Sequence, residues 1–180
     1  MGVDVRKMLY DKISNVDNIF GVDLCKEFID AGYELFGDKD RLEKCFRIGD
    51  FLGKDFGSVL KGTNGEDGVD VVYCGSIFHL LNLEQSLVLA SHVRQMLCED
   101  GFFFGRLGGV SEGENITVER EGRVRFIFSK KGLKEMLEKS GLCEVKVVEG
   151  EEGLDKVDFK QVPHNELKTF LSFSCFKRTK

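Results

Sequence analysis

Two aspartates stand where a carboxylate can do specific work. Asp23 closes the short apolar run Ile19-Phe20-Gly21-Val22, and Asp50 follows "CFRIG" in the same manner. In nucleoside-binding α/β domains an acid at the end of a buried strand accepts hydrogen bonds from ribose hydroxyls, roughly 20 residues after a glycine-rich turn. Here Gly2 lies 21 positions before Asp23. Beyond Asp23 the apolar period lengthens to helical spacing at Ile29, Gly32, Tyr33 and Phe36. An aspartate at such a junction also serves as a helix N-cap, and for Asp23 alone both roles stay open.

The elements that must position these acids alternate along the chain. Val5, Met8, Leu9 and Ile13 place a helix over 3–14, almost at the first residue. Strand signals follow at 19–22, 45–48, 69–74 and 102–104. The run "VDVVYC" reads as a central strand buried on both faces. Leu83, Leu87, Ala90, Val93 and Leu97 mark one face of a helix over 84–98, with Glu99-Asp100-Gly101 as its stop. A second helix has Ser129 as N-cap, Leu133, Met136 and Leu137 as buried face and Gly141 as terminator. Strands at 144–148 and 168–176 finish the chain, and the short connection before the last predicts that it runs antiparallel. The order implies an α/β, doubly wound, mainly parallel sheet. Ligands of such sheets sit beyond the carboxyl ends of the strands, where Asp23, Asp50, Cys74-Gly75 and Gly105-Arg106 all fall.

Composition narrows the function classes. The chain has 180 residues, is 42% hydrophobic and 32% charged, and carries a net charge of -5. That acidic balance argues against a nucleic-acid or anionic-membrane surface, which needs a basic stripe. Lys177, Arg178 and Lys180 read as a solvated chain end. No run of about 20 apolar residues offers a membrane span, and residues 1–12 lack the apolar core of a signal peptide, so the cytoplasm is the expected location. Cys25, Cys45, Cys74, Cys98, Cys143 and Cys175 are scattered singly, as are His79, His92 and His164. This spacing predicts reduced packing thiols and supports no metal site.

The ordered series "MGVDVRKMLYD", "NIFGVDLCKEFIDAGYELF", "CFRIGDFL", "VDVVYCGSIFHLL", "VRQMLCEDGFFFGRLGG" and "FSKKGLKEMLEKSGL" resembles class I S-adenosylmethionine-dependent methyltransferases. More narrowly, it is similar to fungal secondary-metabolite methyltransferases of meroterpenoid pathways. The resemblance runs nearly from end to end and implies a Rossmann-like fold with S-adenosyl-L-methionine as cofactor. In the family a first strand and a loop of the type D-L-G-C-x-x-G precede the first helix, and Met1-Gly2 is all of that loop seen here. The expectation is therefore a single methyltransferase domain over 1–180, incomplete at its N-terminus. The alternative is a degenerate, non-catalytic relative. Without the first strand, two apolar sheet edges would keep unpaired backbone groups.

The resemblance also implies the site. Gly2 matches the last loop glycine, beside the methionine part of the cofactor; Asp23 matches the ribose acid, with Leu24 against the adenine. Asp50 matches the acid paired with the adenine amino group, with Phe51 beside the ring. Cys74 and Gly75 match the strand-end backbone facing the methionyl amine. Two residues suit catalysis on a small-molecule substrate. His79, in "SIFHLL", can take a phenolic proton or hydrogen-bond a carboxylate, or else is satisfied by backbone at a helix start. Arg106, in "FFFGRLGG", can hold a carboxylate by a bidentate pair, or else makes a surface ion pair. Residues 108–128 are too long for a simple connection. Ile116 and Val118 are expected to face Val124 and Phe126 in a hairpin on the substrate side. The polar stretch 150–165, with Pro163, reads as a surface excursion. Neither loop names the molecule methylated, and a nicotinamide-dependent oxidoreductase is the weakest reading because the antiparallel last strand suits a methyltransferase better.

Overall fold

A computed structural model of the chain describes residues 1–63, 67–110, 112–120, 122–150 and 169–178. The stretch around Pro163 falls outside the described residues. The chain divides into two compact units, Met1–Gly68 and Val69–Lys180.

In the first unit, helix α1 (Val3–Tyr10) leads to strand β1 (Gly21–Asp23), helices α2 (Lys26–Phe36) and α3 (Lys39–Leu42), and strand β2 (Phe46–Ile48). Strands β1 and β2 pair in parallel, with Asp23 opposite Ile48. The helical period after Asp23 buries Ile29, Gly32 and Tyr33. Ile29 and Tyr33 pack with Leu42 and Cys45, and Val5, Leu9, Val16 and Phe46 surround them. Helix α1 is shorter than its apolar spacing suggests. It stops at Tyr10, Lys12 takes a φ of 58°, and Ile13 is left exposed.

The second unit is built on four strands, β3 (Val69–Gly75), β4 (Leu97–Gly109), β7 (Cys143–Gly150) and β8 (Thr169–Phe176), in the order β3-β4-β8-β7. Between them lie helix α4 (Leu83–Met96), the hairpin β5 (Ile116–Arg120) and β6 (Arg123–Ile127), and helix α5 (Lys130–Lys139). Strands β3 and β4 are parallel, and β8 runs antiparallel to both β4 and β7, as expected, although the connection from β7 to β8 is not short. Phe103, Leu107, Val145, Val147, Leu171, Phe173 and Cys175 make the buried face of the sheet, which α4 and α5 cover. The helix starts follow from capping. Asn82 accepts from the Gln85 N–H and the Gln85 side chain accepts from the Asn82 N–H; Ser129 Oγ accepts from the Gly132 N–H at 3.0 Å.

Four expectations are corrected. Strand β3 lies at the edge of its sheet, paired on one side among the described residues, and Val71 is 54% exposed, so it is not a doubly buried strand. Residues 99–101 do not follow α4 as a stop; β4 begins at Leu97 and runs through them. The buried stripe of α4 is Ser86, Leu89, Ala90, Val93 and Met96, whereas Leu83 is exposed. The i, i+3, i+4, i+7 spacing of 86, 89, 90 and 93 fits a helix as well as the all-apolar set does, because Ser86 Oγ is satisfied by donating to the Asn82 carbonyl at 2.8 Å. The hairpin forms, but one residue out of the expected register: Ile116 pairs with Ile127 and Thr117 with Phe126. A one-residue slip exchanges the two faces of a strand.

Candidate active site

The first unit holds its two acids in matching turns. Asp23 Oδ1 accepts from the Cys25 N–H at 3.0 Å, and Asp50 Oδ1 accepts from the Leu52 N–H at 2.9 Å. Each parallel strand thus runs into an aspartate that closes a turn on the amide two residues later. The Gly49 N–H donates to the Asp23 carbonyl at 3.0 Å, which continues the β1–β2 ladder to the residue before Asp50. Asp23 does not cap α2 in the usual way. The N-cap is Cys25, and Asp23 bonds that residue's own N–H rather than an amide inside the first turn.

Asp23 Oδ2 lies 3.9 Å from the Met1 amino group. Leu24, beside it, is 63% exposed. Phe51 meets Phe56 edge-on at 5.5 Å between ring centroids. Gly2 has a local reason to be glycine: its φ is +66°, and a Cβ there would lie 2.1 Å from the Phe46 ring.

Sequence spacing missed the group that organises this unit. Arg6 grips Asp38 with two parallel bonds, Nε to Oδ2 at 2.7 Å and Nη2 to Oδ1 at 2.8 Å. The side chains are 10% and 9% exposed. The guanidinium carbon sits 4.6 Å from the Phe36 ring and 4.8 Å from the Phe46 ring, and Nη1 donates to the Met1 carbonyl at 2.6 Å. Hydrogen bonding from Arg6 holds the Asp38 carboxyl below the usual carboxylate range. The two residues are 32 positions apart, with no local pattern joining them.

In the second unit, Cys74 is buried near the end of β3, and desolvation pushes its thiol up to about 12. Gly75 makes room for its neighbour, since a Cβ there would fall 2.4 Å from the Tyr73 hydroxyl. The strand end is extended by the Ser76 N–H, which donates to the Arg106 carbonyl at 2.7 Å, with Ser76 at a φ of 59°. His79 is half-buried in the short turn Phe78–Leu80. Phe78 anchors that turn: it is fully buried, with the Phe173 ring at 5.8 Å and Phe103 and Phe128 both at 6.4 Å. Arg106 is exposed and borders a groove of about 420 Å³ together with Tyr73, Phe104, Lys146, Ser172 and Ser174. The alternation of "FLSFSCF" already puts Ser172 and Ser174 on one face, which was the available signal for that groove.

No protein-family profile matches the chain. It is 35% identical over 97 residues to O-methyltransferase phiE of a fungal species (strain ATCC 74256), a match covering 54% of this chain and 31% of that protein. It is 39% identical over 95 residues to O-methyltransferase atr3 of Stereocaulon alpinum, covering 52% and 26%. Over about half its length the chain is similar to fungal O-methyltransferases, and its fold is that of class I methyltransferases. The matched part spans between a quarter and a third of the length of these curated relatives. Among solved structures, the Burkholderia thailandensis 1,6-didemethyltoxoflavin-N1-methyltransferase with bound 1,6-didemethyltoxoflavin and S-adenosylhomocysteine superposes with a TM-score of 0.64 at 16% identity, over 99% of this chain and 67% of that one. An S-adenosylmethionine-dependent methyltransferase from Mesorhizobium loti gives 0.62 at 16% identity, over 97% and 86%. No helix among the described residues is long and apolar enough to cross a membrane.

Proposed function

We propose that the chain is part of an S-adenosylmethionine-dependent methyltransferase that methylates an oxygen, carboxyl or phenolic, of a small secondary-metabolite intermediate. The observation that carries this reading is the pair of aspartates, Asp23 and Asp50, closing equivalent turns at the ends of adjacent parallel strands in a relative of fungal O-methyltransferases. Each acid commits one oxygen to its turn and keeps the other as an acceptor, which suits ribose hydroxyls at Asp23 and the adenine amino group at Asp50. Leu24 and Phe51 offer apolar contact to the base, and backbone at Cys74 and Gly75 faces the methionyl amine. Residues 108–128 shape the substrate side.

When bound, the cofactor's sulfonium supplies an electrophilic methyl group for in-line displacement. The protein's part is to align the acceptor oxygen and exclude water. A carboxylate acceptor is ionised at neutral pH and needs no base, and this is the nucleophile we favour; a phenol needs His79 to take its proton. Arg106 holds a substrate carboxylate as a bidentate partner. A second reading, a relative that no longer binds cofactor, is favoured by Gly2, whose missing side chain makes room for Phe46 rather than for a ligand.

Calorimetric titration with S-adenosylmethionine decides between the two. Saturable binding, weakened by about 1 to 3 kcal/mol in Asp23→Ala with the fold retained, supports the enzyme reading. Absence of binding supports the second, and binding with equal affinity in Asp23→Ala would remove Asp23 from the cofactor site. With a phenolic acceptor, His79→Ala should slow turnover by roughly 10²- to 10⁴-fold, and a carboxylate acceptor should lose far less.

A further inference from the structure

Arg6 does more than close an ion pair. Its Nε and Nη2 are both taken by Asp38, and the remaining nitrogen, Nη1, donates to the Met1 carbonyl at 2.6 Å and reaches the Gly2 carbonyl at 3.4 Å. Wedged between the Phe36 and Phe46 rings, the guanidinium is a fixed fork rather than a mobile charge. The Met1 carbonyl also lies against α2 at Gly32, where a Cβ would fall 2.6 Å from its oxygen and 3.3 Å from Arg6 Nη1. A trans peptide points its N–H and C=O in opposite directions, so drawing the Met1 and Gly2 carbonyls toward Arg6 turns the Gly2 and Val3 N–H groups away from it. Neither N–H has an acceptor within α1, because the first amides of a helix lack one. The same backbone borders Asp23, whose Oδ2 is 3.9 Å from the Met1 amino group.

On the assignment of Gly2 and Asp23 to the cofactor proposed above, we infer that Arg6 is a positioning residue: it fixes the Met1–Gly2 backbone so that the Gly2 and Val3 N–H groups face the methionine part of S-adenosylmethionine. Arg6 itself touches none of the cofactor. Asp38 orients the guanidinium, and the guanidinium orients the backbone. Lysine cannot take this place, since an ammonium is a point charge and does not hold a carboxylate bidentately and two carbonyls at once. The consequence is selective. Binding of the amino-acid part of the cofactor depends on Arg6, whereas the ribose and adenine, held at Asp23 and Asp50, do not need it.

Calorimetric titration of the full chain with two ligands separates these parts: S-adenosylhomocysteine, and 5′-methylthioadenosine, which has the nucleoside and the sulfur but no amino-acid part. In the double variant Arg6→Met with Asp38→Leu, which strands no charge, S-adenosylhomocysteine should bind about tenfold more weakly while 5′-methylthioadenosine binds as to the wild type. Arg6→Lys, despite its retained charge, should show the same selective loss. Gly32→Ala keeps both charged groups and crowds the Met1 carbonyl from α2, so it should reproduce the loss, and it carries the test should the double variant lack a native circular dichroism spectrum. A role in stability alone predicts folded variants that bind both ligands like the wild type. That result, or an equal loss for both ligands, would overturn the inference. Failure of the wild-type chain to bind either ligand is a different outcome: it would refute the cofactor assignment itself, and the role of Arg6 with it.

Discussion

Breaking the Arg6–Asp38 pair from one side should cost far more than removing it whole. Arg6→Ala leaves the Asp38 carboxylate, 9% exposed, without its two donors, and strips a cation from between the Phe36 and Phe46 rings. Removing one partner of a buried ion pair costs about 3 to 5 kcal/mol, because the other charge stays desolvated. A typical domain is stable by only about 5 to 15 kcal/mol in all. Replacing both groups with apolar residues, as in Arg6→Met with Asp38→Leu, removes the stranded charge, so the double variant should be less destabilised than Arg6→Ala. Acid dependence follows with a definite sign. Arg6 lowers the Asp38 carboxyl in the folded state, so the folded protein holds its proton less tightly than the unfolded chain, whose carboxyl titrates near about 3.9. The stabilisation is present above that value and is lost as pH falls through the lower folded-state value. Urea unfolding followed by circular dichroism, at neutral pH and between about pH 2 and 6, measures both effects. The acid-dependent part should be missing from Asp38→Asn. A cost below about 1 kcal/mol for Arg6→Ala, the range of an exposed pair, would refute the reasoning, as would a double variant that simply sums the single costs.

Two further outcomes follow from local geometry. Gly2→Ala should destabilise the first unit by about 1 to 3 kcal/mol, since it combines a left-handed backbone with overpacking against Phe46; urea unfolding of Gly2→Ala with and without Phe46→Leu checks it, and the second substitution should restore part of the loss. Cys74 and Cys175, both buried and both pushed up to about 12 by desolvation, should resist iodoacetamide at pH 8 until urea unfolds the chain. Peptide mapping after labelling would count against this account if either thiol reacts in the native protein as fast as the half-buried Cys25.

Local chemistry determined much of the architecture. The change of apolar period after Asp23, the Ser129 cap and the alternation of 169–176 each depend on neighbours within a turn or a strand, so α2, α5 and β8 were legible directly. The two strand-end aspartates were legible for the same reason. What needed the tertiary structure was every choice between local solutions of similar merit. Ser86 replaced Leu87 in the buried stripe of α4 because a backbone carbonyl satisfied its hydroxyl. The β5–β6 hairpin settled one residue from the expected register, a choice that turn residues alone leave open. "VDVVYC" is apolar enough for a doubly buried strand, yet burial is set by what pairs and packs beside it, and β3 lies at a sheet edge. The Arg6–Asp38 pair spans 32 residues and leaves no periodic trace, and the groove beside Arg106 draws on four strands, of which the alternation of β8 marks only one. Charge pairs and grooves of this kind arise from the meeting of distant segments, which only the folded chain brings together.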